Sequence, residues 1–272
     1  MATIDDNLHL RARACLAAAE PADKLALTAE AVADWRAGRL RADAVGLPPA
    51  ERIERPGRPA LPRLVPPRQL PQRGLGTAGG RAALVHAVAH IEFNAIDLAW
   101  DAVYRFRDMP AGFHDDWVAV ADDEARHFRL LCARLAAYGH VYGEFPAHNG
   151  LWEMAVRTDH DCLQRMALVP RVLEARGLDV TPGMIARMRA AGDLETVAVL
   201  ETILAEEVAH VAAGSRWFRW CCQRAGVCPE TRFRELVDGL AAGVLRGPLN
   251  HEARRAAGFS GAELERLGQR VA

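Results

Sequence analysis

The sequence almost lacks lysine. Lys24 is the only one, and arginine supplies the rest of the 34 basic residues. This skew reads as codon usage in a GC-rich genome, not as chemistry. Neither charge sign is in excess. With 34 basic and 35 acidic residues and a net charge of −1, nothing marks a general nucleic-acid binder or a protein drawn to membrane surfaces, although a local basic patch is compatible with that balance. The N-terminal stretch MATIDDNLHLRARACLAAAEPADK is broken by charges and has no apolar core, so it is not a secretory signal. No stretch approaches the roughly 18–20 uncharged apolar residues of a membrane span. A soluble, cytoplasmic protein is expected. The six cysteines (Cys15, Cys132, Cys162, Cys221, Cys222 and Cys228) contain no C-x-x-C pair, which excludes zinc-ribbon and thioredoxin-like readings. Their irregular spacing in a long chain does not suit a disulfide scaffold, and buried free thiols are expected. No segment shows a convincing strand period.

What remains is helical. The 272 residues, half of them hydrophobic, suffice for one large core with an appendage. Residues 5–19 and 22–37 read as two short Ala- and Leu-rich helices, with Pro21 suited to the first turn of the second. They make an N-terminal hairpin over 1–44. Eight prolines then fall between Pro48 and Pro71. This marks 45–80 as an arm of polyproline character, expected to pack along the body through Leu61, Leu64, Val65 and Leu70. From Arg81 the apolar period predicts helices over 81–107, 114–138, 151–176 and 193–224. Pro170 is expected to kink the third. Gly177 and the Thr181-Pro182-Gly183 turn are expected to end it, with a short helix over 183–191. Four long amphipathic helices predict an all-α fold with a four-helix bundle over 81–225. Residues 226–272 form a tail with two shorter helices.

The chemistry lies in two Glu-x-x-His motifs, Glu124-Ala-Arg-His127 and Glu207-Val-Ala-His210. On a helix, positions three apart share a face, so a carboxylate and an imidazole can reach one point. Either tetrapeptide alone is weak. Both, however, fall on apolar stripes: Trp117, Ala121, Phe128 and Leu131 flank the first, and Leu200, Ile203, Val211 and Phe218 the second. A buried carboxylate is costly unless it is paired or metal-bound. Glu92 lies on a third apolar stripe, with Val85, Val88, Ala95 and Ile96, 32 residues before Glu124. Glu174 stands 33 residues before Glu207. The pattern Glu, then Glu-x-x-His, therefore occurs twice at nearly equal spacing. It matches the ligand set of ferritin-like di-iron and di-manganese proteins. Glu174 has the less apolar surroundings, Pro170, Arg171 and Leu178. Its pairing with Arg171 or Arg176 at the surface is the alternative. Glu153, Asp159 and Asp161 stand too far from Glu207 to replace it.

Other polar residues have plainer readings. His86 and His90 are four apart, a spacing that can bind metal, but they point away from the Glu92 face, His90 turning about 200° from it. Hydrogen-bonded or interfacial histidines are expected there. Asp97 can support a ligand histidine, but an interhelix or surface ion pair is favoured. Trp100 and Tyr104 read as bundle core and rim ahead of a substrate or radical pocket.

The segments HAVAHIEFNAIDLAWDAVYRF, DDEARHFRLL, MALVPRVLEARGLDVTP and LETILAEEVAHVAAGSRWF resemble an uncharacterised bacterial ferritin-like family, domain of unknown function 455. The resemblance covers about residues 50–225 and extends to the N-terminal helices. It implies a ferritin-like fold and, within LEARGLD, Glu174 as the ligand of the third helix. The chain is more distantly similar to the di-iron tRNA hydroxylase that modifies 2-methylthio-isopentenyladenosine. That enzyme also has a Glu-Ala-Arg segment followed by Glu-Ala-Arg-His-Phe. Here Glu-Ala-Arg-His-Phe occupies the first motif and not the second, so substrate specificity does not transfer.

Carboxylates and imidazoles without thiolate suit two Fe ions, with Mn or a mixed Fe/Mn pair served by the same donors. The expectation is an oxygen-activating oxidase or hydroxylase. Its partners would be dioxygen, an electron donor and an organic substrate, either a small molecule or a modified nucleoside. The alternative is a metal-binding or ferroxidase protein without an organic substrate.

Overall fold

A computed structural model of the chain describes residues 6–71, 74–240 and 247–271. Residues 1–5, 72–73, 241–246 and 272, parts of the expected hairpin, arm and tail, lie outside the described residues. The described residues are all-helical, and two isolated bridges, Asn7 to Arg41 and Leu64 to Ala147, are their only β-type pairings. The chain folds as two compact units, Met1–Val156 and Arg157–Ala272.

The first unit holds α1 (Leu8–Ala17), α2 (Pro21–Arg36), α3 (Ala78–Arg105), α4 (Ala111–Ala137) and α5 (Gly150–Arg157), which ends at the boundary. The first three starts have local causes. The Asn7 side chain accepts from His9 N and Leu10 N, Pro21 opens α2, and the Thr77 hydroxyl accepts from Gly80 N. The short Phe106–Pro110 link makes α3 and α4 an extensively packed antiparallel hairpin, with α1 on α3 and α2 on α4. Residues 92–104 of α3 are buried without interruption, which marks a core helix. By length and a mean hydropathy of 1.2, α3 could cross a membrane, contrary to the expectation that no stretch comes close. But 78% of that apolar window is buried inside the protein, and α3 also carries Glu92, Asp97 and Asp101.

The Pro-rich arm packs on this unit. Val65 N and Ala147 N donate to Ala147 O and Arg63 O, and Gly57 N donates to Leu16 O. Trp152 Nε1 reaches Ile53 O and Glu54 O, and Arg58 reaches Asn149 and Asn94. Ile53 and Val65 are buried, whereas Leu61, expected to pack inward, is 58% exposed.

The second unit holds α6 (Cys162–Leu168), a π-helical turn (Val169–Glu174), α7 (Ala175–Ala190), α8 (Leu194–Ala225), α9 (Pro229–Leu240), α10 (His251–Ala256) and α11 (Gly261–Val271). Asp193 caps α8 through Thr196 N, and Gly226, at φ +68°, ends it. The expected third helix differs from the observed one. It breaks at 158–161, where Asp161 caps α6 by accepting from Leu163 N. It does not break at Gly177 or Pro182, both of which lie inside α7. Pro182 removes the N–H that would have served Leu178 O, and the Asn250 side chain donates to that carbonyl instead, at 3.1 Å. The described tail contains three helices, one more than expected.

Candidate metal centre

In the first unit, α3 and α4 bring together the three residues expected there. Glu92, Glu124 and His127 are all buried, and each offers one ligand atom within 4.8 Å of the others. His127 Nδ1 lies 3.2 Å from Glu92 Oε2 and 3.5 Å from Glu124 Oε2. Phe93 and Phe128, the neighbours of two of these ligands, meet at 5.1 Å between ring centroids. The electrostatics follow from this confinement. Burial, then the charge of Glu124 and a hydrogen bond shared with it, raises the Glu92 carboxyl well above the usual range, and His127 opposes this only in part. Burial alone would lower His127. Hydrogen bonds and charge from Glu124 and Glu92 outweigh it and raise the imidazole to about 10. Two crowded carboxylates thus share positive charge, which is the environment a divalent cation would fit.

In the second unit, α8 places His210 Nδ1 3.2 Å from Glu207 Oε2, with both side chains buried. Glu174 ends the π turn, which packs on α8, and is also buried at 8% exposure. The alternative surface pairing is not observed. Arg171 donates to Glu263 and Ser215, and Arg176 to Asp179. Gly177 lies beside Glu207, where an added Cβ would sit 3.8 Å from Glu207 Cγ.

The remaining candidates have structural roles. His86 Nε2 accepts from Gly143 N at 2.9 Å. His90 Nε2 donates to His148 O, so His90 Nδ1 accepts from the Tyr142 hydroxyl at 2.8 Å. Both histidines therefore fasten the 138–150 loop to α3. Trp100 donates to Thr28 Oγ1, and the Tyr104 hydroxyl accepts from Glu51 N. Asp97 forms an interhelix ion pair with Lys24 at 2.5 Å, both fully buried. Burial raises Asp97 to about 6 despite that partner. The sequence favoured an ion pair for Asp97, but with the lysine scarcity read as codon usage Lys24 was not named as its partner. The available signal was Lys24 on one face with Thr28, Ala31 and Val32, all buried.

The family model described as "Protein of unknown function (DUF455)" matches residues 17–265. An "Uncharacterized protein" from Haemophilus influenzae is 43% identical over 214 residues, covering 76% of this chain and 74% of its own length. No solved structure matches. A match over nearly the whole chain, with a relative of such identity, shows that this chain belongs to the DUF455 family of proteins of unknown function.

Proposed function

We propose that the chain is a cytoplasmic, carboxylate-bridged two-iron protein with a ferritin-like four-helix-bundle core, acting as an oxygen-activating oxidase or hydroxylase of an organic substrate. The observation that carries this reading is the buried Glu92–Glu124–His127 triad, repeated in kind by the buried Glu207 and His210, with a buried Glu174 33 residues before Glu207. Four carboxylates and two imidazoles are hard-to-borderline donors and offset most of the charge of two Fe(II) or Mn(II) ions. The residues that would hold metal are Glu92, Glu124, His127, Glu174, Glu207 and His210. Bound iron would supply the reduction of dioxygen, with electrons from an external donor. The chain's own contribution is to fix these side chains in a buried setting that limits access of water. A His127 ring nitrogen that held the metal would have to be free of its proton.

Anaerobic reconstitution followed by elemental analysis tests this. About two Fe or Mn per chain are expected, and less than about half an equivalent overturns the reading. Glu124→Ala and His210→Ala should each abolish tight uptake of the pair. Dioxygen consumption driven by Fe(II) alone, with no organic product in the presence of candidate substrates, supports the metal-handling alternative.

A further inference from the structure

The π turn that ends at Glu174 is held by the C-terminal segment. A π turn carries one more residue than the α-helix it interrupts. Its collapse to α geometry would rotate the flanking segments by about 100° relative to one another and take Glu174 off its face. Pro170 in this turn packs on Gly214 so closely that an added Cβ there would lie 2.5 Å from the ring.

Two fully buried arginines then grip the turn. Arg171 donates to Glu263 Oε2 at 2.7 Å and to Ser215 Oγ at 3.1 Å. Its guanidinium carbon lies 4.2–4.7 Å from the ring centroids of Phe218, Phe233 and Phe259. Arg254 takes Asp179 with both arms of its fork, at 2.9 and 2.7 Å, and its remaining donors face Ala175 O and Arg171 O at 3.3 and 3.5 Å. Asn250 adds a bond from its N–H to Asp179 and one from its side chain to Leu178 O. Every one of these grips falls on residues 171–179. Burying two guanidinium groups stabilises less than apolar packing of the same volume, so what they contribute is a defined geometry.

We propose that Arg171 and Arg254 are positioning residues for Glu174: the segment 250–263 clamps the π turn in the register that presents this carboxylate as a metal ligand. The proposal rests on the two-metal reading above.

The test uses the full-length protein, Mn(II) alone as the probe, electron paramagnetic resonance to count bound and free ion, and peptide-resolved hydrogen exchange. Arg254→Gln and Arg171→Met should weaken uptake of one Mn(II) about tenfold or more. They should also speed exchange across 170–176 while leaving residues 85–130 as protected as in wild type. Arg254→Lys, which keeps the charge but loses the fork, should recover part of both. The exposed-pair variant Arg189→Gln on α7 should change neither. If Arg254→Gln does not fold, Asn250→Ala, which removes the Leu178 contact, should show the same pattern at about threefold. Wild-type protein that takes up no Mn(II) overturns the two-metal reading and this proposal with it. Wild-type uptake, with the Arg254 and Arg171 variants within about twofold of it, overturns this proposal alone.

Discussion

The two units present similar candidate ligands from differently built supports. In the first, Glu92, Glu124 and His127 ride on α3 and α4, unbroken helices of 28 and 27 residues. In the second, Glu207 and His210 ride on the 32-residue α8, but Glu174 sits at the end of a π turn. Sequence spacings of 32 and 33 residues therefore arise by two routes. In the first unit, regular geometry aims the side chains. In the second, an irregular turn is fixed from outside by arginines of, or paired to, a distant segment. The first unit also has a buried ion pair, Lys24–Asp97, but it ties α2 to α3 and grips no ligand-bearing turn.

The comparison breaks most severely at that ion pair. Lys24→Met leaves the Asp97 carboxylate buried without its counter-ion, at an expected cost of about 3–5 kcal/mol, whereas Lys24→Met with Asp97→Leu should recover most of the loss. Urea denaturation measures it, and peptide-resolved hydrogen exchange should locate the loss in residues 8–137. An equal loss of protection in α8 would show that the supports are not separate.

Next comes the matching insult to the second unit. Gly214→Ala drives a Cβ against Pro170 and should cost about 1–3 kcal/mol, with faster exchange in 166–218. A neutral result would mean that the π turn yields easily, against the distinction drawn here.

Acid separates the units more gently. Burial lowers His86 and His114 of the first unit to about 4. Because the folded values lie below the unfolded 6.5, the stability these neutral rings confer is complete above pH 6.5. It is lost as pH falls toward 4, when the unfolded chain takes up protons first. His114→Phe should therefore flatten the acid limb of a pH–stability curve by up to about 1.4 kcal/mol per pH unit. An unchanged slope would remove His114 as its cause.

The smallest effect is a gain. Gly183 lies in the interior of α7, with nothing within 4 Å of an added Cβ. Gly183→Ala should raise stability by up to about 1 kcal/mol, read as a higher Tm.

Much of the fold was legible because helices declare themselves through period and caps. Pro21 marks a start, and the expected helix over 193–224 matches α8 within a residue at each end. Glu92, Glu124 and His127 were legible for the same reason: three polar residues on apolar stripes need a shared partner. Local rules failed where distant residues intervene. Pro182 signals a break, but Asn250 serves the carbonyl it orphans, 72 residues away from Leu178. Arg171 suggested a surface partner for Glu174 because no one-dimensional signal announces Glu263, 92 residues on. Pro170 correctly marked an irregularity, but periodicity does not distinguish a kink from a π turn.

Lys24 makes the molecule its own reporter. A chain with a single, fully buried lysine side chain offers amine-reactive labels no lysine target while α2 stays packed on α4 and tied to α3 through Lys24 and Asp97, and amines sealed in this way react only after opening. The extent of labelling at Lys24, read by mass spectrometry after a short pulse, therefore counts the molecules in which the N-terminal helices have let go, with no probe introduced.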